Sequence, residues 1–151
     1  MLNIHLPTIK PAAPILYSTP LPIFVYGTLR SGEYNWQRYL KDRTQREQPA
    51  VAPQHVLYAN EFPYVVDGEG TVLGDLITIA PAQYAEVLHD IDGLEQFDPA
   101  SGTGWYLRVA RVVLVDAAPT LAWIYHAGPS VLAKLNPAER IPGGDWVHYR
   151  P

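Results

Sequence analysis

Chemistry in this chain has to come from carboxylates, hydroxyls and main-chain amides, because the commoner reactive constellations are missing. There is no cysteine, which removes thiolate nucleophiles, thiolate zinc sites and disulfides together. The four serines, Ser18, Ser31, Ser101 and Ser130, include none in a Gly-x-Ser-x-Gly turn. His5, His55, His89, His126 and His148 show no His-x-x-x-His spacing, and Gly68, Gly70 and Gly74 fit neither a Walker nor a dinucleotide pattern. Two local features stand out. Tyr26-Gly27-Thr28-Leu29 breaks an apolar run. The N–H groups of a tight turn after a strand can form an anion-binding concavity, and Gly27, without a Cβ, permits close approach. Glu95 directly follows a helical pattern and precedes a loop. A carboxylate placed there can accept a proton and return it, although by residue type alone it reads as a solvated glutamate at a helix end.

The elements that would hold these residues can be read from periodicity. Ile23 to Tyr26 forms a short buried strand, and Tyr34 to Leu40 places Trp36, Tyr39 and Leu40 at helical spacing. Val51 to Ala59 and Phe62 to Val66 read as strands, the second demoted to an edge by Pro63. Asp67 to Gly70 reads as a turn, and Thr71 to Ile79 as a strand in which Gly74 marks a bulge or a close approach. Pro81 suits the first turn of a helix. Tyr84, Val87, Leu88 and Ile91 then make one apolar face, and Gly93 is placed to end it. Gln96 to Gly104 reads as a loop, Trp105 to Val115 and Thr120 to His126 as strands, and Pro129 to Leu135 as a short helix. Strands outnumber helices and few helices separate consecutive strands. The expectation is α+β: a curled, barrel-like mixed sheet with a few packed helices.

Length and composition set the frame. The chain has 151 residues, of which 48% are hydrophobic and 17% charged, enough apolar material for one core and one domain. The proline-rich segment 1–22 reads as an N-terminal arm, lying on the domain or contacting a partner, or else as a disordered tail, and 23–151 as the domain proper. Pro7, Pro11 and Pro14 interrupt any signal-peptide-like stretch. A net charge of −4 without a run of Lys or Arg argues against nucleic acid as a partner, and no apolar run approaches a membrane span. The absence of cysteine fits a cytoplasmic protein.

Three segments in order resemble the gamma-glutamylcyclotransferase-like family. They are Phe24-Val25-Tyr26-Gly27-Thr28-Leu29-Arg30 with Gly32 and Asn35; Ile91-Asp92-Gly93-Leu94-Glu95 followed by Trp105-Tyr106-Leu107-Arg108; and Ala122-Trp123-Ile124-Tyr125 with Gly144-Asp145-Trp146. Gly74-Asp75-Leu76 lies between the first two. The resemblance implies the family's fold and its chemistry, in which a γ-glutamyl amide cyclises on itself to 5-oxoproline and releases an amine or amino acid. It implies Glu95 as the catalytic acid/base, Tyr26, Gly27, Thr28 and Leu29 as the substrate-binding loop, and Tyr106 as a substrate-orienting phenol. It implies no cofactor and no metal. The expected partner is a small-molecule γ-glutamyl substrate, with a homodimer left open. Arg108 and Asp92 are expected in structural roles.

Two other readings stand beside this one. A non-catalytic binding module could keep the same fold. A hydrolase with a covalent nucleophile would need a serine signature that the chain lacks.

Overall fold

The structure, a computed structural model, describes residues 15–149. Most of the arm expected over 1–22 lies outside them. The core is a five-stranded closed barrel in the order β1-β3-β2-β6-β7, closed by pairing of β3 and β1 with β7. The strands are β1 (Ile23–Val25), β2 (Thr44–Asn60), β3 (Phe62–Ile79), β6 (Tyr106–Val115) and β7 (Ala118–Ala127). A two-stranded ribbon, β4 (Phe97–Asp98) with β5 (Thr103–Gly104), sits apart. Helix α1 (Tyr34–Tyr39) follows β1, α2 (Tyr84–Leu94) follows β3, and α3 (Pro129–Leu132) and α4 (Trp146–Tyr149) are single turns. The α+β, curled-sheet expectation holds.

Alternation along the strands sorts the apolar residues into two layers. Phe24, Ala52, Leu57, Val65, Val72, Leu76, Val113 and Ile124 come from all five barrel strands and form one cluster, the barrel interior. Ile23, Val25, Ile77, Ile79, Trp123 and Tyr125 point the other way and pack against Val87, Leu88 and Ile91 of α2. The helix thus lies on the outside of the barrel. A side chain at Gly74 would meet Val25 O at 2.2 Å and the Phe24 ring, so this glycine is a close-approach point for β1.

Several boundaries differ from the sequence reading, each for a physical reason. β2 and β3 form one long hairpin turning at Glu61, where φ is +64°. The turn expected at Asp67–Gly70 is part of β3; it lies across from a bulge between Pro53 and His55, with Gln54 at φ +58°. Pro63 does not make an edge, because β3 pairs with β1, β2 and β7 at different points along its length. Thr44 to Ala50 extends β2 although it is polar, since much of that stretch faces solvent. Gly93 does not end α2, which runs to Leu94. The loop expected from Gln96 to Gly104 contains the β4–β5 ribbon.

Buried polar groups tie the layers together. Arg108 and Asp92 form a two-point ion pair at 2.8 and 2.9 Å, and the Tyr125 hydroxyl donates to Asp92 Oδ1 at 2.6 Å. This links β6, β7 and the end of α2. Arg108 also donates to Tyr17 O and lies over the Trp123, Phe97 and Tyr17 rings, so residue 17 packs on the domain. At another place in the barrel, His55 and His126 face each other in buried surroundings. Burial first, and the neighbouring His55 second, hold His126 down at about 4.

Candidate active site

The apolar face of α2 seats it on the barrel, and the helix delivers Glu95 as its C-terminal cap. Glu95 N donates to Ile91 O at 2.9 Å, and its carbonyl accepts from Tyr106 N at 3.3 Å. Gln96 turns sharply at φ +55°, and its carbonyl accepts from Trp105 N. The backbone carrying Glu95 is therefore stitched to β6 and not left on a free loop, and its side chain enters a cavity instead of bulk water.

That cavity has a volume of about 400 Å³. It is lined by Tyr26, Gly27, Thr28 and Leu29 on one side, by Leu94, Glu95 and Gln96 on another, and by Pro63, Trp105, Tyr106 and Tyr125, among others. Glu95 is the one acidic or basic side chain among the lining residues. Burial in these neutral walls raises its carboxyl to about 8, with the Asp92 carboxylate adding a smaller push in the same direction.

The loop after β1 is held from behind. Thr28 O accepts from the amides of Asn35 and Trp36 at 3.0 Å each, and Asn35 Nδ2 donates to Thr28 Oγ1 at 2.7 Å. Helix α1 thereby fixes the turn, while the amides of Gly27, Thr28 and Leu29 serve as donors in none of the turn's own hydrogen bonds. Leu29 is buried and anchors the turn in the core. A Cβ at Gly27 would lie 2.7 Å from Pro63 Cγ, so the β2–β3 hairpin is packed tightly against the loop. Arg30 points away from the cavity, with Nε and Nη1 each 3.3 Å from Asp75 and Asp145.

The phenols are fixed donors. Tyr26 donates to Tyr125 O at 2.6 Å, and Tyr106 donates to Pro63 O at 2.9 Å while stacking on Tyr64. Burial is the largest cause raising both hydroxyls, so neither is a phenolate at neutral pH.

All six residues singled out in the sequence line this one cavity. Sequence reasoning missed Tyr125, Trp105, Phe62 and Pro63 as cavity walls. Ten Tyr and four Trp suit such a lining, but nothing in the local pattern says which aromatics share it. Trp105 is oriented by its indole N–H, which donates to the Tyr64 hydroxyl at 2.9 Å.

Fold and site together define a class: a small α+β barrel with a single raised carboxyl in a neutral, aromatic-walled cavity beside a loop of main-chain amides. The chain belongs to the gamma-glutamyl cyclotransferase, AIG2-like family, whose model matches residues 23–148. It is 28% identical over 132 residues to a putative gamma-glutamylcyclotransferase of Methanocaldococcus jannaschii, covering 85% of this chain and 97% of that protein. It is likewise 28% identical over 132 residues to the gamma-L-glutamyl-butirosin B gamma-glutamyl cyclotransferase of Niallia circulans, covering 85% and 76%. Among solved structures, an uncharacterized protein of Pyrococcus horikoshii superposes with a TM-score of 0.59 at 25% identity, covering 86% of this chain and 92% of the other. The family and both relatives' names agree on gamma-glutamyl cyclotransferase-type chemistry. No helix among the described residues is long and apolar enough to cross a membrane.

Proposed function

We propose that the protein cyclises a γ-glutamyl amide to 5-oxoproline and releases an amine, with Glu95 as general base and then general acid. The observation that carries this reading is the placement of Glu95 in a cavity that the Tyr26–Leu29 loop also lines, where burial raises its carboxyl. The substrate enters with a protonated α-amine. Glu95 in its ionised form takes one proton, freeing the nitrogen lone pair. The nitrogen attacks the substrate's own γ-carbonyl carbon, and the new C–N bond closes a five-membered ring. The carbonyl oxygen becomes an oxyanion. Glu95 then gives the proton to the leaving nitrogen as the original amide C–N bond breaks and the carbonyl re-forms. The regenerated carboxylate takes the second proton from the ring nitrogen, leaving a neutral lactam N–H, and passes it to the released amine, which departs as an ammonium, so the carboxylate is restored.

The pocket supplies what each step needs. A carboxyl near 8 is matched to an ammonium far better than one near 4, so the proton moves in both directions at low cost. With burial raising the Glu95 carboxyl to about 8, the protonated form prevails in the free site at pH 7, and a bound ammonium draws it toward the carboxylate. In this reading the amides of Gly27, Thr28 and Leu29 hold the substrate carboxylate or the developing oxyanion. Tyr26 and Tyr106 are held rigidly by main-chain acceptors and shape the glutamyl subsite. Because nucleophile and electrophile share one molecule, holding that molecule folded supplies several kcal/mol of the barrier reduction, on the order of 7–11 when well aligned. The same reading places the protein in the cytoplasm, where a chain without cysteine loses nothing.

The test is turnover of a panel of γ-glutamyl amines and γ-glutamyl amino acids with detection of 5-oxoproline. Formation of 5-oxoproline from at least one substrate, lost in Glu95→Gln, supports the reading. A folded protein inert across the panel favours a binding module of the same fold.

A further inference from the structure

Outside the Glu95 cavity, the barrel brings together three donors that are remote in sequence. His55 lies on β2, Asp67 on β3 and His126 on β7. Their donor atoms all lie within 4.8 Å of one another, and none of the three lines the active-site cavity. The two imidazoles meet edge to face, with His55 Nε2 and His126 Nε2 2.8 Å apart. Asp67 Oδ1 is 3.8 Å from His55 Nε2. Both histidines are among the most buried polar residues of the described chain, at 2% and 7% exposure. Two facing imidazoles are an uneconomical way to fill such a place, since an aliphatic pair would leave no polar atoms to satisfy.

From these positions we infer that His55, His126 and Asp67 form a three-donor site for a divalent transition-metal ion of the zinc class.

The tautomers are already suited to it. His55 Nδ1 is 2.9 Å from Pro53 O. A carbonyl can only accept, so Nδ1 carries the proton and Nε2 presents its lone pair inward. This is the outer-shell pattern of metal-bound histidine, whose second ring nitrogen donates to a carbonyl or carboxylate. In the metal-free state His126 Nε2–H donates to that lone pair. A bound ion replaces this proton, which moves to His126 Nδ1, so the ring stays neutral.

The carboxylate is oriented in the same manner. Asp67 accepts from Arg111 at 2.9 Å through Oδ1 and at 2.8 Å through Oδ2. Turning Oδ1 to the ion leaves Oδ2 on the guanidinium, which then holds the ligand from outside. Tetrahedral zinc with nitrogen ligands at about 2.0–2.1 Å sets donor atoms about 3.3 Å apart. The imidazoles need to part by about half an ångström, and Asp67 to close by about half an ångström on His55 and by up to about 1.5 Å on His126. Asp67 can do so because its side chain is 59% exposed. Two imidazoles and a carboxylate leave a fourth position for water, and the absence of sulfur selects zinc-like over softer ions.

The place in the fold gives the ion a structural effect. Val65 of β3 pairs with His126 of β7 where the barrel closes, and His55 borders the bulge in β2. An ion there ties three strands across the seam.

The experiment is titration of the metal-stripped full chain with Zn²⁺ against a chromophoric chelator, with Co²⁺ absorption as a geometric report. One equivalent is expected to bind with Kd at or below about 10 micromolar, with a visible Co²⁺ spectrum of tetrahedral intensity and a higher thermal midpoint. Asp67→Asn, at an exposed position, is expected to fold and to bind at least about tenfold more weakly. His126→Gln is expected to lose the stoichiometric site. No binding by the wild-type chain at tens of micromolar overturns the site. Binding unchanged in Asp67→Asn also overturns it, and that variant carries the test even if His126→Gln fails to fold.

Discussion

Replacing Glu95 by Gln should make the protein more stable at alkaline pH, and the size of the gain follows from the cavity. In the unfolded chain the carboxyl titrates near 4.5; in the fold, burial first and Asp92 second raise it to about 8. Below 4.5 both states hold the proton and pH has no effect through this group. Between 4.5 and 8 the unfolded state releases its proton while the folded state keeps it, so stability falls as pH rises. Above 8 both are ionised and the loss levels off. Each tenfold change in proton affinity is worth about 1.4 kcal/mol, which puts the ceiling on the order of 5 kcal/mol. Glu95 retains some exposure, and solvent screening brings the expected loss to roughly 2–4 kcal/mol. Gln keeps the shape and never ionises, so it escapes the loss. Urea denaturation of both proteins at pH 5 and pH 9 measures it. Near-equal stability at pH 5 and a more stable Gln variant at pH 9 are expected. A difference that does not change between the two pH values, or a Gln variant that is the less stable at pH 9, would refute the claim that this carboxyl sits in a desolvated cavity.

Other predictions rest on neighbouring contacts. Gly27→Val places atoms against Pro63, where a Cβ would already stand 2.7 Å from Cγ. It should weaken binding of 5-oxoproline at least about tenfold by calorimetry, which corresponds to about 1.4 kcal/mol. Arg108→Met leaves the buried Asp92 carboxylate without its two-point partner and should cost about 3–5 kcal/mol in urea denaturation, much of it recovered when Asp92→Leu is added. Tyr106→Phe deletes the hydrogen bond to Pro63 O and should cost about 1–2 kcal/mol of stability by the same measurement. In wild type, kcat/KM for a turned-over γ-glutamyl amide should rise with pH toward a plateau above about 8, following ionisation of Glu95 in the free site.

Much of the site was legible because its parts are local motifs. Tyr26 to Leu29 is a strand end and a turn, and Glu95 is a helix end; both are written in adjacent residues. The walls were not legible. Tyr125 and Trp105 enter the cavity through the pairing of β6 with β7 and through a hydrogen bond to Tyr64, 41 residues away. Strand count and class were readable from alternation, whereas the continuity of β3 through Asp67–Gly70 was not. Asp, Gly and Glu there have the composition of a turn, and the hairpin across from it overrides that local preference. The histidine cluster escaped for a related reason. A spacing rule finds ligands on one helix, and His55 and His126 meet across 71 residues of barrel.

The central claim is that one proton-shuttling carboxyl faces a loop of amides across a glutamate-sized cavity. A crystal structure of the protein with 5-oxoproline tests it most directly. The account predicts the lactam between them, its ring nitrogen or carbonyl within about 3.2 Å of the Glu95 carboxyl and its carboxylate on the amides of residues 27–29. A lactam bound elsewhere, or a Glu95 side chain turned out to solvent with the cavity closed, would contradict it.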